Sequence, residues 1–536
     1  MEPLIESVTR KNLAHFLIPS ISSGILFFLC FPSFEFPFLA WFCLIPLFFA
    51  IRNVTPKTAF WLGGISGTLY FLGTISWVTN TMVQYGKLPW VLSVLLMFLL
   101  VFYLSLYVAT FSFLAHWAST SKNIPLFISA PLFWTMLEYG RGHFFTGFPW
   151  VLLGYSQYQS LWVIQIADTT SVYGISFLIV LVNVFFYEWV CFFFLRKENK
   201  SGKTIPWASS AFTLIALLIT LFYGHSKISQ TEEKKSFINL ALIQGNIGQD
   251  IKWDRRFQEE TLNTYLTLTE RETQKGIDLV VWPEAATPFL FNQNLEYQKR
   301  ILQFAHAQST PLLFGSPSLT LLENSAPVLL NSAYLISPEG QIKSRYDKMH
   351  LVPFGEYVPL SSLLSFVNKM VEGIGNFIPG KTPLVMDLPK AKFGVVICFE
   401  VIFPELVRKF VNHGAQMMTT ITNDAWFGYS SAPYQHFSMV VFRAIENRVS
   451  FARAANTGIS GFIDSRGRIL KKTNLFERTT LRETLFLNHE KTFYTQFGDI
   501  FAWVCVIMSF SIIIPSIYLE IKKKGKLHVG RNPGKI

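Results

Sequence analysis

Residues 1 to about 225 run as long apolar stretches separated by short polar gaps. The apolar stretches fall at roughly 13–31, 36–51, 58–80, 89–117, 124–139, 170–195 and 206–224. Each approaches the ~20 residues a helix needs to cross a bilayer, with 36–51 and 124–139 on the short side. An eighth stretch, from Asp499 to about Leu519, stands alone near the C-terminus. Their number and density argue against buried helices of a large soluble protein. The first stretch has no small-residue cleavage site after it, and further apolar stretches follow at once, so it does not read as a cleavable signal peptide.

Residues 226–498 have a different rhythm. Ile238–Ile247 reads as a strand, residues 256–274 as a polar helix, and Ile277–Trp282 as a strand ending at Pro283-Glu284. A helix over 294–307 precedes a strand opening at Pro311–Phe314. Asn331–Ile336 and Ile342–Tyr346 flank the turn Pro338-Glu-Gly340, a hairpin signal. Further on come the short apolar strand Phe393–Cys398, a helix over 404–412, the strand Met417–Thr422, a helix over 434–447, and strands at Ser450–Ala455 and Gly461–Ile463. This alternation predicts a layered α/β domain, its sheets covered by helices. The long loop 348–390 carries apolar patches at Leu360–Phe366 and Val371–Ile378, a pattern expected of a lid. Three parts result: a seven-helix membrane domain over 1–225, the α/β domain over 226–498, and an eighth helix with a basic tail over 499–536.

Composition agrees with a chain solvated partly by lipid. Of 536 residues 51% are hydrophobic, 16% are aromatic and only 15% are charged, against about 25% charged in soluble domains. The net charge of +12 reads as membrane orientation and anionic lipid rather than nucleic acid. Arg10 and Lys11, Arg52 and Lys57, Lys122, the group Arg196, Lys197, Lys200 and Lys203, and the run from Lys522 to Lys526 all fall on one side if eight helices cross. That side is expected to be cytoplasmic. Both termini then lie in the cytoplasm and the α/β domain on the opposite face.

Four of the five cysteines, Cys30, Cys43, Cys191 and Cys505, lie in apolar stretches, and Cys398 alone sits in the polar part. No Cys/His spacing suits a metal, so none is expected. Cys398 ends one predicted strand, Glu284 follows a second, and Lys348 follows a third. Strands packed side by side would bring these three ends to one edge. A thiol, a carboxylate and an ammonium there make a workable acyl-transfer site: the carboxylate takes the thiol proton, while the ammonium lowers the thiol pKa and faces the oxyanion. Spacing alone leaves each residue a structural alternative: a buried core cysteine, a capping glutamate, a solvated lysine.

The motifs carry more. Val281-Trp-Pro-Glu284, Tyr346-Asp-Lys348-Met-His-Leu-Val-Pro-Phe-Gly-Glu356-Tyr-Val-Pro359, Ile397-Cys398-Phe-Glu400 and Thr422-Asn-Asp-Ala-Trp-Phe-Gly428 resemble the signatures of the nitrilase (carbon–nitrogen hydrolase) superfamily. With apolar stretches on both sides, nearly the full length resembles the bacterial apolipoprotein N-acyltransferase family. The resemblance implies an αββα sandwich with a Glu-Lys-Cys triad, here Glu284, Lys348 and Cys398. It implies a thioester on Cys398 filled from a membrane phospholipid and emptied onto the N-terminal amine of a diacylglyceryl-modified apolipoprotein. No cofactor, metal or nucleic acid is implied, and a monomer in the bacterial inner membrane, with its catalytic domain periplasmic, is expected. Glu356 is expected to support the lysine or the oxyanion site, and Glu400 to orient the site. Trp253 and Trp426 match aromatic positions tied to substrate handling; Phe399 stands where some members carry tyrosine, so a hydroxyl is lost.

Beside the resemblance, Trp150 in Gly147-Phe-Pro-Trp150 is a candidate for the lipid entrance, equally readable as an interfacial aromatic. Glu138 is a candidate intramembrane acid, and Arg443, Glu446 and Arg448 read as structural ion pairs. The main alternative function is a membrane-anchored nitrilase-type amidase hydrolysing a small amide. A transporter or inactive scaffold is disfavoured, since the sequence has no internal repeat and little intramembrane charge.

Overall fold

The structure is a computed structural model; it describes residues 10–195, 205–230, 236–321, 327–357 and 377–529. The apolar patch at Leu360–Phe366, most of that at Val371–Ile378, and the basic group from Arg196 to Lys203 lie outside the described residues.

Helices occupy the predicted apolar stretches: Arg10–Leu29, Ile45–Ile51, Pro56–Ile75, Trp90–Ser121, Leu126–Arg141, Ala167–Leu195, Trp207–Ser229 and Ile500–Val529. Among the described residues, Trp90–Ser121, Ala167–Phe194 and Trp207–Ser229 are long and apolar enough to cross a membrane. Helix Pro56–Ile75 starts sharply because the Thr55 side chain accepts from the Thr58 N–H and proline takes the first helical position. It lies close against Trp90–Ser121. A Cβ at Gly63 would sit 2.2 Å from Ser112 Oγ, so the absence of a side chain sets the approach of the two backbones. Trp90–Ser121 buries Leu104, Val108 and Phe111 on one side and exposes Leu95, Leu99 and Phe102 on the other. A helix apolar on every face suits a lipid-facing position.

Residues 236–489 form two six-stranded sheets. The strands are β1 (Phe237–Gln244), β2 (Leu279–Val281), β3 (Leu312–Thr320), β4 (Val328–Ile336), β5 (Ile342–Asp347), β6 (Val385–Asp387), β7 (Lys392–Ile397), β8 (Met417–Thr422), β9 (Ser450–Ala455), β10 (Gly461–Ile463), β11 (Ile469–Lys472) and β12 (Thr479–Phe486). One sheet runs β12-β1-β2-β3-β4-β5 and the other β11-β10-β9-β8-β7-β6. In each, three parallel strands form the interior, β1-β2-β3 and β7-β8-β9, flanked by antiparallel pairs.

The period of two along each strand separates the layers. Leu240, Leu242, Leu279, Val281, Leu313 and Leu335 join one core with Val395 and Ile397 of the facing sheet. Their neighbours Ala241, Ile243, Val280, Trp282, Phe314 and Tyr334 join a second core with Leu262, Tyr265 and Ile301, from helices Gln258–Thr273 and Leu295–Gln308. Helices Pro404–Asn412 and Ala432–Asn447 cover the other sheet, giving a helix–sheet–sheet–helix stack. Both faces of the central strands are buried, so their sequences are apolar runs rather than alternations.

The membrane helices join this stack through polar contacts. Arg448 pairs with Asp168 at 2.8 Å. Arg443 donates to Glu446 at 2.9 Å, and Glu446 also accepts from the Ser171 hydroxyl at 2.8 Å. These are the ion pairs expected of Arg443, Glu446 and Arg448, and they stand at the joint between the two parts.

Candidate active site

Glu284 emerges from β2 through Trp282-Pro283. The neighbouring strand β3 carries Gly315 beside it; a Cβ there would stand 2.6 Å from the Glu284 Cα. The carboxylate is fixed at both oxygens. Oε1 accepts from Asn331 Nδ2 at 2.8 Å and lies 3.6 Å from Lys348 Nζ. Oε2 accepts from the Asn423 N–H at 2.8 Å. Lys348 follows β5 directly, its N–H donating to the Asn331 carbonyl at 2.8 Å. Its buried ammonium lies 3.0 and 2.9 Å from the two Glu356 oxygens. Burial works against the charge, but Glu356 and Glu284 outweigh it and hold Lys348 well above the ordinary lysine pKa.

Cys398 comes from the other sheet. It follows β7 and opens the short helix Cys398–Ile402 with φ at +52°. A left-handed conformation at a non-glycine residue costs about 1–3 kcal/mol and persists only where its surroundings impose it. The residue is 8% exposed. Burial pushes the thiol well above its ordinary pKa, the Glu284 charge adds to this, and Lys348 pulls only partly back. Cys398 therefore rests as a neutral thiol, because burial outweighs the pull of the neighbouring lysine. The picture of three strand ends at one edge also changes. Glu284 and Lys348 come from one sheet and Cys398 from the other, and they meet across the sandwich.

Glu356 accepts from Lys348, from Asn331 Nδ2 at 2.7 Å and from the Val352 N–H at 2.8 Å. Glu400 links the lysine segment to the cysteine strand. It accepts from the Tyr346 hydroxyl at 2.8 Å, the Met349 N–H at 2.6 Å and the His350 N–H at 3.1 Å through Oε1, and from the Ile397 N–H at 2.7 Å through Oε2. Burial raises its pKa to about 7 while these bonds pull it down. Glu400→Gln puts an amide NH₂ against at least one of those donors. It is expected to lower stability by about 1–3 kcal/mol, read as a lower midpoint in thermal unfolding.

Three residues of the cluster escaped the sequence reading. Asn331 bridges Glu284 and Glu356; its signal is a polar residue inside the apolar run of β4. Asn423, within the Thr422–Gly428 motif, supplies the backbone donor to Glu284. Lys252 is buried with its ammonium donating to the Glu284 carbonyl oxygen at 3.3 Å, and burial draws its pKa to about 8.

The aromatic candidates divide. Trp253 is 49% and Trp426 is 37% exposed. Trp426 meets Tyr85 edge to face at 5.3 Å, and its carbonyl accepts from Thr81 Oγ1 at 2.9 Å, tying the site to the short helix Trp77–Gln84 that follows Pro56–Ile75. Phe399 is half-buried, 5.3 Å from the Phe403 ring and 5.9 Å from that of His350. Trp150 is only 1% exposed and donates to Gln435 Oε1 at 2.7 Å; the structure places it inside the joint. Glu138 accepts from the Leu153 N–H at 2.7 Å, and Arg141 donates to the carbonyls of Trp150 and Val151 at 2.9 and 3.3 Å. This pair fastens the loop that carries Trp150.

A neutral thiol, an anchored carboxylate and a permanently charged ammonium are the parts of acyl transfer through a covalent intermediate. The family model for the apolipoprotein N-acyltransferase N-terminal domain matches residues 23–185, and that for carbon-nitrogen hydrolase matches residues 239–489. An apolipoprotein N-acyltransferase of Geobacter metallireducens is 46% identical, covering 94% of this chain and 95% of its own. One from Haemophilus ducreyi is 33% identical, covering 95% of this chain and 97% of its own. Among solved structures, an amidase from Nesterenkonia aligns at 20% identity over 50% of this chain and 96% of its own, with a TM-score of 0.37.

Proposed function

The chain belongs to the apolipoprotein N-acyltransferase family, and on that premise we propose a two-step acyl transfer through Cys398. In the first step Glu284 takes the Sγ proton as sulfur attacks an ester carbonyl of a membrane phospholipid. The oxyanion is stabilised by the Lys348 ammonium. Collapse expels the lysophospholipid alkoxide, which takes the proton from Glu284, and leaves a thioester. In the second step the α-amine of a diacylglyceryl-cysteine on an apolipoprotein attacks the thioester. Glu284 takes the amine proton and returns it to sulfur, and the product is an amide. Glu356 and Asn331 keep Lys348 and Glu284 in register, and Glu400 holds the lysine segment against the cysteine strand. Trp253, Trp426 and Phe399 contact the lipid substrates, and Trp150 supports the loop beside them.

The observation that carries this reading is the buried cluster Glu284–Lys348–Glu356–Asn331 coupled to a neutral thiol on a strained turn. The helices lie in the membrane as eight crossings, seven before the α/β domain and one after it. The loop charges put both termini in the cytoplasm and the catalytic domain on the periplasmic side. Phospholipid and apolipoprotein reach the site from the bilayer, and the enzyme works as a monomer.

Incubation of the purified protein with acyl-labelled phospholipid is expected to add one acyl group to Cys398, seen in the intact mass. Addition of a diacylated lipopeptide is expected to discharge it with formation of the N-acyl product. Release of free fatty acid alone would overturn the transfer reading, and ammonia released from a small amide without transfer would favour the amidase alternative.

A further inference from the structure

The strained turn at Cys398 has a buried support outside the triad. His436 lies on helix Ala432–Asn447 and is fully buried, with Nε2 3.2 Å from the Cys398 carbonyl oxygen. Its Nδ1 has two neighbours, Arg453 Nη2 at 3.1 Å and Asp424 Oδ1 at 3.3 Å. A carbonyl oxygen only accepts, so Nε2 carries a ring proton and donates to Cys398; in the neutral ring Nδ1 is then bare and accepts from Arg453. The opposite tautomer would set a bare nitrogen lone pair against that carbonyl. Asp424 does not need the ring proton. Its Oδ1 accepts from the Thr422 hydroxyl at 2.8 Å, and its Oδ2 accepts from Arg453 at 2.7 Å. Burial, then the Arg453 charge, hold His436 below its ordinary pKa, so the ring is neutral. Its face stacks on Trp150, with ring centroids 5.5 Å apart. The adjacent Gln435 accepts from Trp150 and donates to the carbonyls of Pro32 and Thr74 at 3.1 and 3.0 Å. The imidazole is thus gripped by Arg453 on one side and by the membrane part of the chain on the other.

We propose that His436 is a positioning residue for Cys398: its Nε2–H, set in that tautomer by Arg453, holds the carbonyl of Cys398 and with it the left-handed turn that presents the sulfur. The role rests on Cys398 being the nucleophile. It acts through backbone geometry, so it affects the rate of thioester formation and not the affinity for lipid. Small misplacements of a reacting atom cost rate steeply.

The test uses the full chain. His436→Phe keeps a ring against Trp150 but removes the donor; His436→Gln places an amide N–H near the Nε2 position. His436→Phe is expected to slow thioester formation from phospholipid by about 10–100-fold with KM for phospholipid unchanged, and His436→Gln to recover most of that loss. A wild-type rate in His436→Phe, or a His436→Gln variant as slow as His436→Phe, would overturn the proposal. Should His436→Phe not fold, the ¹⁵N spectrum of His436 in the unaltered protein decides: protonated Nε2 with bare Nδ1 supports the role, and the reverse tautomer defeats it. Wild-type protein that forms no thioester at all would count against the acyl-transfer reading, whereas wild-type thioester with an unaffected His436→Phe variant counts against His436 alone.

Discussion

Cys398→Ala is expected to abolish N-acylation, with transfer falling by about 10⁴-fold or more. Without sulfur no covalent acyl carrier exists, and the amine has no activated carbonyl to attack. Cys30, Cys43, Cys191 and Cys505 cannot substitute, because all four are buried within the helical part of the chain. The fold should survive, since alanine loses one small buried atom and faces the same left-handed backbone penalty as cysteine. Intact mass after incubation with phospholipid separates the outcomes. The variant should show no acyl adduct while its thermal midpoint stays near that of the parent; full transfer by a folded Cys398→Ala protein would remove Cys398 from the mechanism.

Glu284→Gln is the second large effect, expected to cost about 10²–10⁴-fold in thioester formation. The thiol is neutral at rest because burial raises its pKa, and in the proposed mechanism Glu284 is the base that takes its proton. Glutamine keeps the shape but cannot take the proton. Its NH₂ must also face either Asn423 N–H or the Asn331 and Lys348 donors. The pH dependence has a definite sign. Removing the Glu284 charge lowers the thiol pKa somewhat, but burial, the larger cause, remains. The variant therefore depends on thiolate formed by solvent, and that fraction grows about tenfold per pH unit below the thiol pKa. Residual activity should climb steeply with pH through the neutral and mildly alkaline range, while the parent enzyme should not follow that slope. Residual activity independent of pH would mean that another group serves as the base.

The strands β8, β9 and β10 are legible in the sequence because apolar and small residues dominate each and turns bound them. In contrast β11 and β12 carry no clear strand signal. They lie at the polar edge of the sandwich, where Lys471, Lys472, Arg482 and Glu483 replace the apolar signal, and β6 is only three residues long. Predicted strand ends ran past the observed ones at Ile277–Trp282, where Pro283 removes a ladder donor.

The candidate site divides along the same line. Glu284, Lys348, Cys398, Glu356 and Glu400 stand in contiguous motifs, so residue type and local spacing marked them. Asn331, Asn423, Lys252 and His436 act through contacts to other segments of the chain, and such pairings leave little local trace. Trp150 was legible as an aromatic near the membrane, but its burial against His436 depends on how the helical part docks.

For Cys398 itself, sequence alone determined that a lone thiol ends a buried strand and that a glutamate and a lysine follow two others. Its apolar run, the surrounding motifs and the loop charges are local properties of the chain. The tertiary structure alone decided that the thiol approaches from the opposite sheet, sits on a left-handed turn and is neutral at rest. Sheet order, backbone strain and desolvation all arise from contacts between distant segments, and no local pattern encodes them.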